Sequence, residues 1–301
     1  MTHSCPYSGH ISDAEDGISA ADTTETIGAI DVSDENIHWQ QDMSYGDYLG
    51  LEGLLEQQNP RSDQHDEMLF IVIHQASELW MKLCLHEAHA AAKLIAKDQL
   101  RPAFKMLTRV ARIQQQMVSA WEVLVTMTPA DYASFRDSLG QSSGFQSFQY
   151  RELEFLLGNK NTALIEAHKN HPANYTHLEQ VLNAPSLYDV CLQLLAQRGF
   201  DIPTTHTQRD WQQPYCANGQ VELAWKKVYQ DTDTYWDLYE LAEKLVDLEY
   251  HFQQWRFNHM KTVERIIGHK HGTGGTSGVN YLQKALSLQF FPELWSVRTS
   301  V

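Results

Sequence analysis

DTYWDLYELAEKLVDLEYHFQQWRFNHMKTVERIIG, residues 233–268, is the stretch on which the rest of the chain is read. It holds no proline, and its one glycine is its last residue. As a helix it puts Leu241, Leu245, Leu248, Phe252, Trp255, His259 and Ile266 on one face, with Thr262 between the last two. Glu240, Glu243, Lys244, Asp247 and Lys261 fall on the other side, so the apolar face is expected to be buried. His259 then points inward from a rigid support. A buried imidazole has two ring nitrogens to satisfy. Two readings stay open at this point: a core histidine bonded to a carbonyl, or an axial ligand to haem or another metal.

Outward from this helix, nearly everything else also reads as helix. No glycine occurs between Gly53 and Gly140 or between Gly219 and Gly268, and strand-like alternation is scarce. The run Leu69–Ile73 could be a buried strand, but it continues without a breaker into good helix formers. Long helices are expected at about 64–97, 102–127, 186–198 with its neighbours, and 232–267, and shorter ones at 43–58, 130–138, 147–157, 174–183 and 279–287. Asp63 or Asp66 is expected to cap the first long helix. Thr128-Pro129-Ala130-Asp131 combines a capping Thr, a Pro at the first helical position and an acid at the third. The fold class is therefore all-α: a single helical domain, 39–301, built on a bundle of long helices.

Residues 1–38 form an acidic leader, rich in Ser, Thr, Asp, Glu and Ala, that is expected to be disordered. The net charge of −15 belongs to this end of the chain. Residues 1–60 carry twelve Asp or Glu and no Lys or Arg, which leaves 26 acids against 23 bases beyond them. A nucleic-acid partner is not expected, because phosphate binding needs a basic patch. No stretch reads as a membrane span or a targeting segment. The four cysteines, Cys5, Cys84, Cys191 and Cys216, are far apart and form no CxxC pattern, which fits a reducing cytoplasmic setting.

His74, inside FIVIHQASELW, is the second histidine of interest, and Phe70 one turn earlier shares its face. On its own it too reads as a satisfied core residue. His86 and His89 in HEAH lack HExxH spacing and read as a solvated helix face. Glu35 and His38 have ExxH spacing without a partner motif, so a di-iron bundle is not supported. The loop Gly272–Gly278 fails the phosphate-loop spacing but can bring backbone close to a ligand. Arg136, ahead of a Gly- and Ser-rich turn, reads alone as a surface ion-pair residue.

Four strings taken together say more: HDEMLFIVIHQASELW (65–80), TPADYASFRDSLGQSSGFQSFQYRELEFLLGNKN (128–161), WRFNHMKTVERIIGHKHGTGGTSG (255–278) and the ending FFPELWSVRTSV. In this order they closely resemble the tryptophan 2,3-dioxygenase family, from about Met43 to Val301. The resemblance implies a haem b enzyme, ferrous when active, that cleaves the indole C2–C3 bond of L-tryptophan with O2. The product would be N-formyl-L-kynurenine, in the first step of tryptophan catabolism by the kynurenine route. It implies His259 as the haem iron's axial ligand, with an acceptor fixing its far nitrogen, and His74 as the catalytic residue on the indole N–H. Phe70, Ile71, Val72, Ile73, Tyr132, Arg136 and Thr273 would bind substrate, Arg136 through the carboxylate. The family's homotetramer would bring Tyr45, Tyr48 and Leu49 from a neighbouring subunit. A non-catalytic haem sensor and a haem-free helical interaction protein are the competing readings. The first has no use for an amino-acid clamp such as Arg136 with Thr273, and the second would show no Soret band.

Overall fold

The computed structural model describes residues 43–301, and these comprise thirteen α-helices, four short 3-10 stretches and no strand. The disorder expected of residues 1–38, and Glu35 with His38, lie outside the described residues. The chain divides into two units, Met1–Leu54 and Leu55–Val301.

In the first unit, α1 (Tyr45–Leu49) is closed at its start by a reciprocal capping box between Ser44 and Asp47. The helix expected over 43–58 is broken at Gly50, and α2 (Leu51–Leu55) follows. Tyr45 and Tyr48 are 76% and 77% exposed.

The second unit is organised by α3 (His65–Ile95), α4 (Leu100–Leu124) and α11 (Trp236–Ile266), of 31, 25 and 31 residues. At 1.5 Å per residue the longer two each run about 46 Å. The two largest helix interfaces are α3 on α4 and α4 on α11. The face read from residues 233–268 is the packed one: Leu241, Leu245, Leu248, Phe252, Trp255 and Ile266 are all buried. Around this frame lie α5 (Pro129–Phe135), α6 (Phe148–Leu157), α7 (Pro172–Leu182), α8 (Leu187–Gln197) and α9 (Thr204–Thr207). The series ends with α10 (Gly219–Gln230), α12 (Val279–Ala285) and α13 (Pro292–Ser296).

Several expectations are corrected. Neither Asp63 nor Asp66 caps α3; Gln64 stands at the cap without a side-chain bond. Glu67, 1% exposed, turns back instead and accepts the Arg61 and Ser62 N–H groups at 2.8 and 2.7 Å. The helix expected at 186–198 has eleven residues and is not a long one, and α10 and α13 were not anticipated. HEAH is solvated only in part: His86 is exposed as expected, but Glu87 is buried against Arg109 at 3.0 Å, and the half-buried His89 meets Glu152 through Nε2 at 2.8 Å. By length and composition α3 is also long and apolar enough to cross a bilayer, against the expectation of no such stretch. Much of that apolarity faces outward, as a half-exposed stripe of Met68, Val72, Leu79 and Leu83 beside Trp80.

Buried charges tie the bundle to its C-terminal end. Glu249, fully buried on α11, accepts the N–H groups of Phe290 and Phe291 at 2.7 and 3.1 Å and Trp295 Nε1 at 2.8 Å. One α-helical turn pair further on, Arg256 reaches Glu154 of α6 at 2.7 Å, and Tyr150 and Arg151 bond to the same carboxylate. Glu249 is thereby hydrogen-bonded on both oxygens and Glu154 is paired with two arginines, which offsets the cost of burying these groups.

Candidate active site

The site is assembled from four segments. Along α3, Phe70 and His74 stand four residues apart with ring centroids 4.1 Å from each other. His74 Nδ1 lies 2.7 Å from the Phe70 carbonyl. A carbonyl only accepts, so Nδ1 carries the proton and Nε2 is left with a free lone pair. Burial lowers the His74 pKa, against the opposing pull of the Phe70 carbonyl and Glu78, so the ring is neutral at physiological pH.

Next, α5 begins as its sequence predicts, with Thr128 and Asp131 forming a capping box and Pro129 at its first position. It presents Tyr132 and Phe135 to Phe70, at centroid distances of 6.1 and 5.7 Å. Burial raises the Tyr132 pKa, and the adjacent Arg136, which donates to its hydroxyl, opposes that shift. Arg136 opens the 3-10 stretch that follows α5. Its Nη2 donates to the His271 carbonyl at 3.0 Å, while its Nε is buried with no acceptor in the protein.

The loop after α11 closes over this end. The Thr273 hydroxyl donates to the Ser142 carbonyl, and the Gly272 N–H donates to Thr276 at 3.1 Å. Gly274 is packed so closely on Ser143 that an added Cβ would sit 2.7 Å from the serine Cβ. Gly278, at φ +60°, would place a Cβ 2.6 Å from the Lys270 carbonyl oxygen. The glycines are thus required by close backbone approach, and no phosphate cradle is involved.

Opposite, α11 supplies His259. Its ring lies parallel to that of Trp121 on α4, with centroids 4.8 Å apart and planes 10° apart, and Trp255 tilts against it at 5.4 Å. Burial pushes the His259 pKa down to about 4, helped by the nearby His74, so this imidazole is also neutral. The acceptor expected at its far nitrogen is absent: neither ring nitrogen has a hydrogen bond within the protein among the described residues.

These features suit haem. A neutral, half-buried imidazole with no hydrogen bond of its own is a competent axial ligand. Among the described residues no three His, Cys, Asp or Glu cluster to hold a bare metal ion. Trp121 and Trp255 each bury an indole N–H that has no protein acceptor, beside the ring that would bind iron. Such donors match a group bearing carboxylates.

Of the residues singled out in the sequence, Phe70, His74 and Tyr132 come together, Arg136 adjoins Tyr132, and His74 and His259 are electrostatic neighbours. Ile73 packs on the core beside them. Ile71 is half-buried one step around α3. Val72 is turned about 200° from Phe70 and His74 and lies 43% exposed on the outer stripe. Tyr45, Tyr48 and Leu49 belong to the first unit. Sequence reading missed Trp121, Phe135, Ser142 and the His271 carbonyl. Trp121 has the signal of an aromatic on the apolar face of α4, but nothing local says that it meets His259.

The family model described as tryptophan 2,3-dioxygenase matches residues 32–301. A tryptophan 2,3-dioxygenase of Cupriavidus necator is 53% identical over 297 residues, covering 99% of this chain and 98% of its own. One from a Bradyrhizobium species is 59% identical over 259 residues, covering 86% and 93%, and one from Bacillus cereus is 55% identical over 272 residues, covering 90% and 98%. On a match this long and this even, the chain belongs to the tryptophan 2,3-dioxygenase family.

Proposed function

We propose that Phe70, His74, Tyr132, Arg136 and Thr273 form the tryptophan site and that His259 is the axial ligand of the haem. The family's reaction opens the indole ring of L-tryptophan between C2 and C3. Both atoms of O2 enter the product, N-formyl-L-kynurenine, one on each of the carbons that part. Haem b, when bound at His259, supplies the centre at which O2 is activated.

The observation that carries the assignment is the hydrogen bond from His74 Nδ1 to the Phe70 carbonyl, 2.7 Å long. It fixes the tautomer in which Nε2 accepts, and the indole N–H is the donor that matches it. Phe70 packs on the indole, and Tyr132 lines the same wall. Arg136 clamps the substrate carboxylate with two parallel N–H groups, a planar geometry that lysine does not offer. Its unpartnered Nε supports this role, since a carboxylate would satisfy it. Thr273 holds the amino-acid end, and the glycine-rich loop around it excludes water. With burial holding His74 neutral, it orients the substrate through an accepted hydrogen bond.

The protein also acts, in this reading, as a cytoplasmic homotetramer. The exposed apolar stripe of α3, to which Val72 belongs, is suited to being covered by another copy. Tyr45, Tyr48 and Leu49, exposed on α1, would complete a neighbouring subunit's site.

The test uses haem-loaded, reduced protein with L-tryptophan and O2. Formation of N-formyl-L-kynurenine is expected. His259→Ala should lose most of its haem and all turnover while keeping its far-ultraviolet circular dichroism. A His259→Ala protein with full haem loading and an unchanged spectrum would overturn the ligand assignment.

A further inference from the structure

We infer that Trp121 is a positioning residue for the iron ligand: by stacking on the His259 ring from a different helix it sets the plane of that imidazole, in place of a hydrogen bond. The inference rests on the haem reading above.

Rotation of an imidazole about its last side-chain bond is broad and must be restrained from outside. Metal-bound histidines are commonly restrained by an acceptor at the nitrogen that does not bind metal. His259 has no such partner among the described residues, and its contacts are aromatic instead. Trp255 is four residues earlier on α11, so it moves with the ligand. Trp121 belongs to α4, is 8% exposed, and is held in turn by Trp255 at a centroid distance of 5.7 Å. It is therefore the fixed reference against which the His259 ring is aligned. A separation of 4.8 Å between nearly parallel rings is an offset stack, which is favourable and penalises a tilt. A stack also differs from a hydrogen bond in its chemistry. It takes no proton from the imidazole and adds no charge to it, so the iron receives a neutral ligand of fixed orientation.

The experiment compares Trp121→Phe and Trp121→Leu as haem-loaded ferrous proteins by resonance Raman, with haem release to a scavenger as a second readout. Phenylalanine keeps a ring face but has no N–H. It should preserve the iron–histidine stretching band, while loss of the indole N–H sets its own change in release rate, against which Trp121→Leu is compared. Leucine fills the space without a plane. It should broaden or shift the band and speed haem release by about two- to tenfold, the range expected for an aromatic pair. A further measurement needs no variant: frozen ferric wild type with cyanide should give one sharp set of electron paramagnetic resonance g values, as a single ring plane requires. A wide spread of g values would overturn the inference, as would a Trp121→Leu protein with an unchanged band and release rate. If Trp121→Phe shifts the iron–histidine band as Trp121→Leu does, the stacking role is wrong. Wild type that binds no haem at all would overturn both this inference and the reading beneath it.

Discussion

Replacing Arg136 with alanine should separate recognition of the amino acid from recognition of the indole. In the structure the guanidinium is half-buried, donates to the His271 carbonyl at 3.0 Å and to the Tyr132 hydroxyl, and its Nε has no partner. A substrate carboxylate therefore meets a donor group already oriented and only partly satisfied. A charge-assisted contact of this kind contributes about 1.5–3 kcal/mol, which corresponds to roughly a ten- to 150-fold change in KM. The loss should be larger where the carboxylate is left in a site closed to water. The assay measures kcat/KM for L-tryptophan and for tryptamine, which lacks the carboxylate, on wild type and Arg136→Ala at equal haem content. Wild type should reject tryptamine, and Arg136→Ala should treat the two substrates nearly alike, because the group that told them apart is gone. His74→Ala should leave the tryptophan-to-tryptamine preference intact. Its loss should be smallest with 1-methyltryptophan, which has no indole N–H to donate. An Arg136→Ala enzyme that keeps the wild-type preference for tryptophan would place the clamp elsewhere and refute the argument.

Three further outcomes follow from other parts of the chain. Gln114, 1% exposed on α4, has neither amide atom bonded within the protein, so Gln114→Met should raise the unfolding free energy by about 1–3 kcal/mol in denaturant titrations; a lowered midpoint would count against it. Burial opposes ionisation of Glu152, but its bonds to His89 and His177, both at 2.8 Å, outweigh that and lower its pKa below the ordinary 4.5. A carboxylate lowered on folding contributes stability above its unfolded pKa and loses it as pH falls through the folded value, so wild type and Glu152→Gln should differ at neutral pH and converge below pH 4.5; parallel pH profiles would contradict this. Deleting residues 1–38, which by composition carry little apolar surface to dock, should leave haem binding and turnover intact, whereas a deletion past Tyr48 should weaken substrate binding and the proposed tetramer; loss of activity from the shorter deletion would refute the first half.

Much of this protein is legible along its own chain because a helix is a local object. Its period, its breakers and its caps are written within a few residues, so the buried face of α11, the capping box before α5 and the all-α class all follow from spacing. The His74 tautomer belongs here as well, since the carbonyl that fixes it is four residues away on the same turn. What spacing does not contain is which faces meet. Glu249 and Arg256 stand one turn after Leu245 and Phe252, at the edge of the apolar face of α11, and spacing does not say what meets them. They are buried because the N–H groups of Phe290, Phe291 and Trp295 and the carboxylate of Glu154 happen to be opposite them. The His89 contact was hidden for the same reason, as its partner Glu152 lies 63 residues further on. Trp121 and His259 are far apart in sequence and become one unit only when α4 packs on α11. The proposal that His259 is an iron ligand and not a core histidine rests on that packing: the structure offers His259 an aromatic face and no acceptor among the described residues, and a hydrogen bond can be withheld only by everything around the ring at once.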